Sequence, residues 1–294
     1  MDIIYQADNY KEWHEFITIH NLNLWPYTRE FQCQCGLNKI KDLSFAVVEN
    51  SDVLAICPLF VTCEGQYNQF SDDSGYLRSP IVSSCVTDRK RGRIYDYIFN
   101  SIDMMAVTHK VSKSMFMIDP QPECNYYNFL LMYNYLSTSL LTQIIALSKA
   151  EDELRRDLRK SYKSLINKGL KTYGFYVMTK ENADYEMHEQ YRNTHIKAAG
   201  RETRSKGIFD FQFEQLQAGQ ATLIGVLFEG KYVQFNYFNH YNNYVCYASV
   251  ADDPEFSSTC EVPLGHAIIW RAIKYFRENN YKYLELGWQY FGNQ

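Results

Sequence analysis

The stretch Glu261-Val262-Pro263-Leu264-Gly265-His266-Ala267-Ile268-Ile269-Trp270 joins a series of strand-like runs to an amphipathic segment, and its reading decides the fold. Ile268, Ile269, Ala272, Ile273 and Phe276 recur at helical spacing and predict a helix over 265–279. Pro263 stands just ahead of it. Gly265 and Ala267 are small enough for backbone N–H groups of the first turn to approach an anion, which the positive end of the helix dipole favours. Gly265, His266 and Ala267 are therefore candidates for a pyrophosphate cradle, with a plain glycine-capped helix start as the alternative. Upstream, apolar runs at 221–228, 231–239 and 243–250 predict an antiparallel meander, turned at Glu229-Gly230 and linked through 239–242. A loop over 252–264 leads into the helix, and a strand over 282–286 closes the unit.

Ahead of the meander, residues 195–212 read HIKAAGRETRSKGIFDFQ and follow a helix expected over 184–199. They form an unusually polar connection, and loops hung on rigid elements are where binding chemistry is usually placed. Arg201 and Arg204 can each grip a phosphate or carboxylate in a bidentate fork. Thr203 and Gln212 supply hydrogen bonds. Solvated charges pairing with Glu202 and Asp210 are the alternative. His195 is the candidate general base, because its free pKa suits proton transfer near neutrality, with a satisfied core histidine as the competing reading. Glu285, at a strand end, is a second candidate base or else half of an ion pair. His188 lies seven residues before His195, but no third ligand accompanies them, so no metal is expected. The whole arrangement predicts a charged reactant held beside the Gly-His-Ala helix mouth.

Further upstream, residues 150–170 read as one helix capped by Ser148 and ended by Gly169 and Gly174 before a strand at 175–178. Its apolar stripe is Leu154, Leu158, Tyr162, Leu165 and Ile166. Arg159 and Lys163 belong to a basic face that is either solvated or a wall for a polyanionic ligand. The N-terminal half has a helix over 10–20, a break at Pro26, and strands at 43–48 and 52–63 joined by Glu49-Asn50-Ser51. Pro58 in the second strand implies an edge or a bulge. A turn at Asp72-Asp73-Ser74-Gly75, a strand at 76–82 interrupted by Pro80, a helix over 87–109 capped at Thr87 or Asp88, and a strand at 114–118 stopped by Asp119-Pro120 follow. Residues 124–140 are helix or loop, and 141–147 a strand. Helix, meander, helix and strand thus occur in the same order in each half, which implies an α+β chain of two domains, 1–140 and 141–294.

The 294 residues carry a net charge of −4, so no general affinity for nucleic acid is implied and any anion site is local. With 25 Tyr and 18 Phe, the cores should be aromatic-rich and contain hydroxyls in need of partners. The N-terminus lacks the pattern of a signal peptide, and no apolar run approaches a membrane span, so a cytoplasmic protein is expected. Of eight Cys, only Cys33 and Cys35 are close, with no matching second pair, so reduced thiols and no zinc site are expected.

Meander, Gly-x-Ala loop, helix and strand resemble the Gcn5-related N-acyltransferase (GNAT) fold, whose motif reads Arg/Gln-x-x-Gly-x-Gly/Ala at this junction. Gly265 and Ala267 match, whereas Val262 replaces the Arg or Gln. Over about 140–294, the basic helix, His195 with Gly200, Arg201, Thr203 and Arg204, and Glu285-Leu286-Gly287 resemble FemAB/FemX-like aminoacyltransferases. They are similar above all to FemAB-like GNAT proteins found with surface-polysaccharide genes. Relatives continue past Glu-Leu-Gly, whereas this chain ends at Phe291-Gly292-Asn293-Gln294, as a fragment or shortened member would. The resemblance implies two tandem GNAT-like domains and transfer of an acyl or aminoacyl group to an amine, from acyl-CoA or from aminoacyl-tRNA. The implied acceptor is a cell-envelope (peptidoglycan or polysaccharide) precursor or a nucleotide-linked amino sugar. The alternative is a catalytically degenerate GNAT-like binding or assembly module.

Overall fold

The computed structural model describes residues 1–290 except 21, 23–24, 38–39, 65, 73–74, 119–127 and 139. The turn expected at Asp73-Ser74, the stop at Asp119-Pro120, Cys124 and the tail from Phe291 lie outside the described residues. The chain divides into two compact units, Met1–Thr138 and Ser139–Gln294. Among the described residues no helix is long and apolar enough to cross a membrane.

In the first unit, β1 (Asp2–Tyr5) leads to α1 (Tyr10–Ile19) and α2 (Arg29–Leu37). There follow β2 (Lys41–Asp42), β3 (Phe45–Glu49), β4 (Asp52–Cys57), β5 (Phe60–Glu64), β6 (Tyr67–Phe70), β7 (Leu77–Arg78) and β8 (Ile81–Val82). The unit continues with α3 (Asp88–Thr108), β9 (Val111–Ser114) and β10 (Phe116–Met117). Asn50 and Ser51 both adopt positive φ, 52° and 70°, the left-handed pair that matches the twist of a two-residue hairpin. Pro58 has no N–H to give to a ladder, so the expected strand over 52–63 is two strands in different sheets. One sheet runs β1-β3-β4-β8 and the other β2-β5-β6-β9. The strand expected at 114–118 is likewise divided, with β10 paired to β7. Thr87 caps α3 by accepting the Lys90 N–H, and Ile94, Ile98 and Ile102 bury its apolar stripe in the core that also holds Phe45, Phe60 and Phe70.

The second unit contains β11 (Leu140–Ala146), α4 (Glu151–Asp157), α5 (Lys160–Thr172), β12 (Gly174–Met178), α6 (Tyr185–Ala199) and α7 (Lys206–Gln217). It continues with β13 (Ala221–Phe228), β14 (Lys231–Tyr241), β15 (Tyr244–Asp252), α8 (Pro254–Thr259), α9 (Leu264–Glu278) and β16 (Tyr283–Tyr290). One sheet runs β11-β16-β15-β14-β13-β12. All its neighbours are antiparallel except β15 and β16, which are parallel because α9 crosses between them.

Several expectations need correction. The helix expected over 150–170 is two helices, broken where Leu158 and Arg159 are extended (ψ 144° and 146°). No Gly or Pro marks the break, so the apolar spacing runs straight through it. Ala150, not Ser148, precedes α4, and the acidic first turn of Glu151, Asp152 and Glu153 complements its dipole without a side-chain cap. Gly169 does not end the helix but lies buried within α5. The expected loop over 252–264 holds α8, and the closing strand runs on to Tyr290.

Both faces of this sheet are covered. Ile224, Val226, Phe238, Val245 and Leu284 point to one side, against Ile166 of α5 and Ile268 and Phe276 of α9. Leu223, Phe235 and Tyr237 point to the other, against Met187 and Tyr191 of α6 and Phe209 of α7. Helices α5 and α9 cross at Gly169, where an added Cβ would lie 2.5 Å from the Ala267 Cβ. On the other face His188 is fully buried, its ring 5.5 Å from that of Tyr191 and 5.3 Å from that of Phe213. Burial pushes its pKa down to about 4.

Gly169→Ala should cost about 1–3 kcal/mol through overpacking at the crossing. A denaturation midpoint unchanged from wild type would show that the helices do not press together there. The fold favours the neutral His188 ring. That contribution is present above pH 6.5, the ordinary value, and is lost as the pH falls toward 4. His188→Phe should therefore lose less stability than wild type between those limits, and equal losses in paired denaturation curves would refute it.

Candidate active site

Strands β15 and β16 stay paired for only three positions, Tyr244 with Tyr283, Val245 with Leu284, and Cys246 with Glu285. Beyond that, β15 follows β14 and β16 follows β11, so the sheet opens as a fork. Val245 and Leu284 belong to the α9 side, so the alternation of strand residues turns Cys246 and Glu285 to the α6/α7 side. Glu285 is 4% exposed. One carboxylate oxygen lies 2.9 Å from the Thr142 hydroxyl of β11, and the other accepts from Tyr244 OH at 3.0 Å and lies 3.7 Å from Cys246 Sγ. A bulge opposite Thr142 and Ile144, with Gly287 at φ +86°, brings that hydroxyl into place. Among the described residues no lysine or arginine pairs with Glu285, so the ion pair weighed from sequence does not form. The Tyr244 hydroxyl holds this carboxylate in place of a cation, with the Thr142 hydroxyl shared between it and the Gly287 carbonyl at 2.8 Å.

On the same face, α6 is fixed at both ends. Asp184 Oδ1 accepts the N–H groups of Glu186 and Met187, and Gly200 takes the left-handed conformation, φ +68°, that a side chain would resist. The long connection expected over 195–212 is therefore only 200–205. His195 stands on α6, and Gln212 is buried in α7. Asp210 pairs with Lys206 at 2.7 Å rather than with an arginine. The half-buried Arg204 donates to Ser249 Oγ at 3.1 Å. His195 packs edge-on against Phe209 at 5.4 Å, and its buried Nδ1 has no hydrogen-bond partner among the described residues. Burial, then the Arg204 guanidinium, hold its pKa below the ordinary 6.5. Tyr191 stacks on Tyr237 at 6.0 Å, and Tyr237 OH donates to the Gln212 carbonyl at 2.9 Å. Burial raises the Tyr191 pKa, while Arg204, Ser249 and Gln212 draw it back down. Ser249 pairs with Tyr237 across the ladder, three residues beyond the fork and so about 10 Å along β15.

The structure thus sets His195, Arg204 and Gln212 together, on the face that also carries Glu285. Arg201 and Thr203 are exposed on the short loop and join neither group. A second group gathers on the opposite face at the start of α9. Pro263 offers that helix no side-chain cap, and the space beside Gly265 is open. The His266 ring meets Tyr162 edge-on at 4.7 Å, and the Arg159 guanidinium lies 5.8 Å from the centre of the same tyrosine. Ala267 is buried under Gly169, whereas Lys163 turns back to the Arg156 carbonyl at 3.1 Å. The Val262 carbonyl accepts from Tyr173 OH at 2.5 Å. The expectation that Arg201 and Arg204 hold a reactant directly beside the Gly-His-Ala mouth is corrected by this placement, because the sheet separates the two. Residues the sequence reading missed are Thr142, Tyr191, Tyr244 and Ser249. Thr142, Tyr244 and Ser249 sit at ordinary strand spacing and Tyr191 on the apolar stripe of a helix, with no local signal apart from the hydroxyl each carries. Among the described residues no group of three potential metal ligands occurs.

No family model matches the chain, and no curated protein matches it. Among solved structures, the crystal structure of FemX superposes with a TM-score of 0.69 at 15% identity, covering 100% of this chain and 90% of that one. A tandem GNAT protein from the clavulanic acid biosynthesis pathway gives 0.60 at 10% identity, over 100% of this chain and 91% of that one. L-PGS from Bacillus licheniformis gives 0.59 at 12% identity, over 96% and 79%. At these identities the likeness is one of architecture, and it runs through both units. The chain has the α+β fold of FemX and the tandem GNAT protein, with two GNAT-like domains.

Proposed function

We propose that the C-terminal unit is an N-acyltransferase that moves an acyl or aminoacyl group to an amine. The donor is acyl-CoA or aminoacyl-tRNA, and the acceptor is a cell-envelope precursor or nucleotide-linked amino sugar in the cytoplasm. The observation that carries this reading is the fork between β15 and β16. It interrupts the sheet between a helix mouth on one face and a carboxylate, an arginine and a histidine on the other. Donor phosphates would meet the N–H groups of Gly265, His266 and Ala267, with Arg159 near by. The reactive arm would enter the fork, where β15 past Cys246 no longer pairs with β16, and lie along that strand.

On the far face Arg204 would hold an acceptor phosphate or carboxylate, with Gln212 fixing it. The amine nitrogen forms a bond to the donor carbonyl carbon while the thioester or ester bond breaks. Glu285 or the neutral His195 takes the amine proton, and the departing sulfur or oxygen is protonated in turn. Most of the rate then comes from positioning and from proton transfer. The second reading, a degenerate binding or assembly module in surface-polysaccharide synthesis, draws support from Val262 at the place of the motif's Arg or Gln.

Mass spectrometry of UDP-amino sugars incubated with acyl-CoA or charged tRNA should show acyl gain. No gain with any donor, despite tight nucleotide binding, favours the binding module. Glu285→Gln should slow transfer roughly 100-fold or more if that carboxylate is the base. If His195 is the base, the rate should instead fall with pH below 6.5 and His195→Gln should abolish that limb. Arg204→Ala should raise the acceptor KM with Tm kept. A Tm drop as steep as that of a core substitution would make Arg204 structural.

A further inference from the structure

A cleft of about 330 Å³ lies at the end of the second sheet remote from the start of α9. Helix α9 has 15 residues and so spans about 22 Å, which separates this cleft from the anion-binding mouth by the length of the helix. Its floor is a hydrogen-bonded chain of side chains. The His240 ring lies 3.1 Å from Thr222 Oγ1 through Nε2 and 2.9 Å from Tyr281 OH through Nδ1. The Thr222 hydroxyl also faces the Tyr275 phenol, which borders the same space. His240 and Thr222 are 7% and 2% exposed, so the relay is anchored in the core and only its ends meet solvent. Burial holds the imidazole pKa down near 4, which leaves the floor uncharged at neutral pH.

The walls continue this chemistry. Asn243 and Asn280 line the cleft, and among the described residues their side-chain amides have no partner, which leaves donors and acceptors to meet a ligand. Lys180 and Glu181 stand on the rim, are 58% and 68% exposed, and lie 3.9 Å from each other, so the cleft presents no net charge. The C-terminal end of α9 forms one wall, and its carbonyl dipoles disfavour an anion. Among the described residues no aliphatic hydrocarbon side chain lines the space. Two tyrosines, Tyr275 and Tyr281, supply the apolar surface. A ligand that matches must offer several hydroxyls, each able to give and accept, on a small body with C–H groups to lay against a ring.

We propose that this cleft binds a neutral pyranose sugar, with Asn243 and Asn280 pairing to its hydroxyls and Tyr275 and Tyr281 beneath the ring. The site is separate from the proposed transfer site, so it holds a sugar whether or not the chain is a transferase. Saturation-transfer NMR of the full chain with N-acetylglucosamine, glucose and galactose at millimolar concentration tests it. Transfer from protein to sugar C–H protons is expected for at least one probe. It should fall at least five-fold in Asn243→Ala and in Tyr281→Ala, with melting temperatures confirming that each variant is folded. No transfer to any of the three sugars overturns the proposal. So does transfer that survives in both variants, or stronger transfer to inorganic-phosphate esters or zwitterionic amino acids than to the neutral sugars.

Discussion

A buried carboxylate ties three strands of the second sheet together at the point where the sheet divides. Glu285 on β16 is held by Thr142 of β11 on one side and Tyr244 of β15 on the other. Taking such a group out of water costs several kcal/mol unless hydrogen bonds replace the lost hydration. The Tyr244 hydroxyl, a Thr142 hydroxyl shared with the Gly287 carbonyl, and a nearby thiol surround it here. The β16 bulge and the left-handed Gly287 are the backbone adjustments that let Thr142 reach it. The same residues that stabilise the crotch of the fork thus put an acceptor of protons beside the gap.

The two faces of that sheet are built differently. On the α9 side, a glycine against an alanine lets two helices approach closely, which sets the angle at which the α9 mouth meets the sheet edge. On the α6/α7 side, aromatic rings fill the layer and their polar ends, with those of Arg204 and Gln212, are collected around Tyr191. Tyrosine and histidine permit this, since each fills volume like phenylalanine yet carries a group that orients a neighbour.

Much of this was legible in residue spacing. The meander, the α9 stripe and the α3 cap follow directly from period and punctuation, and the Gly-x-Ala start of α9 identified the crossover. The break at Leu158-Arg159 was not legible, because neither residue is a helix breaker and the apolar stripe is continuous across it. Nor was α7, since Ile208, Phe209, Gln212, Gln215 and Leu216 line its buried side with two amides that read as loop. Which face a strand residue takes depends on bulges such as that between Tyr237 and Phe238, and no local pattern announces those. For that reason the arginines and the helix mouth looked adjacent in sequence logic while lying on opposite sides of a sheet.

Helix α6 is bracketed by an aspartate cap at one end and a left-handed glycine at the other, with an exposed loop following immediately. Punctuation of this kind uncouples the helix from what comes after it. Altered charges at the exposed Arg201, Glu202 and Thr203 can accumulate without tugging on the imidazole upstream, whereas Arg204, tied to Ser249 and felt by His195, cannot change freely. A scaffold arranged this way can vary its surface at three exposed positions while the polar cluster beneath them stays in place.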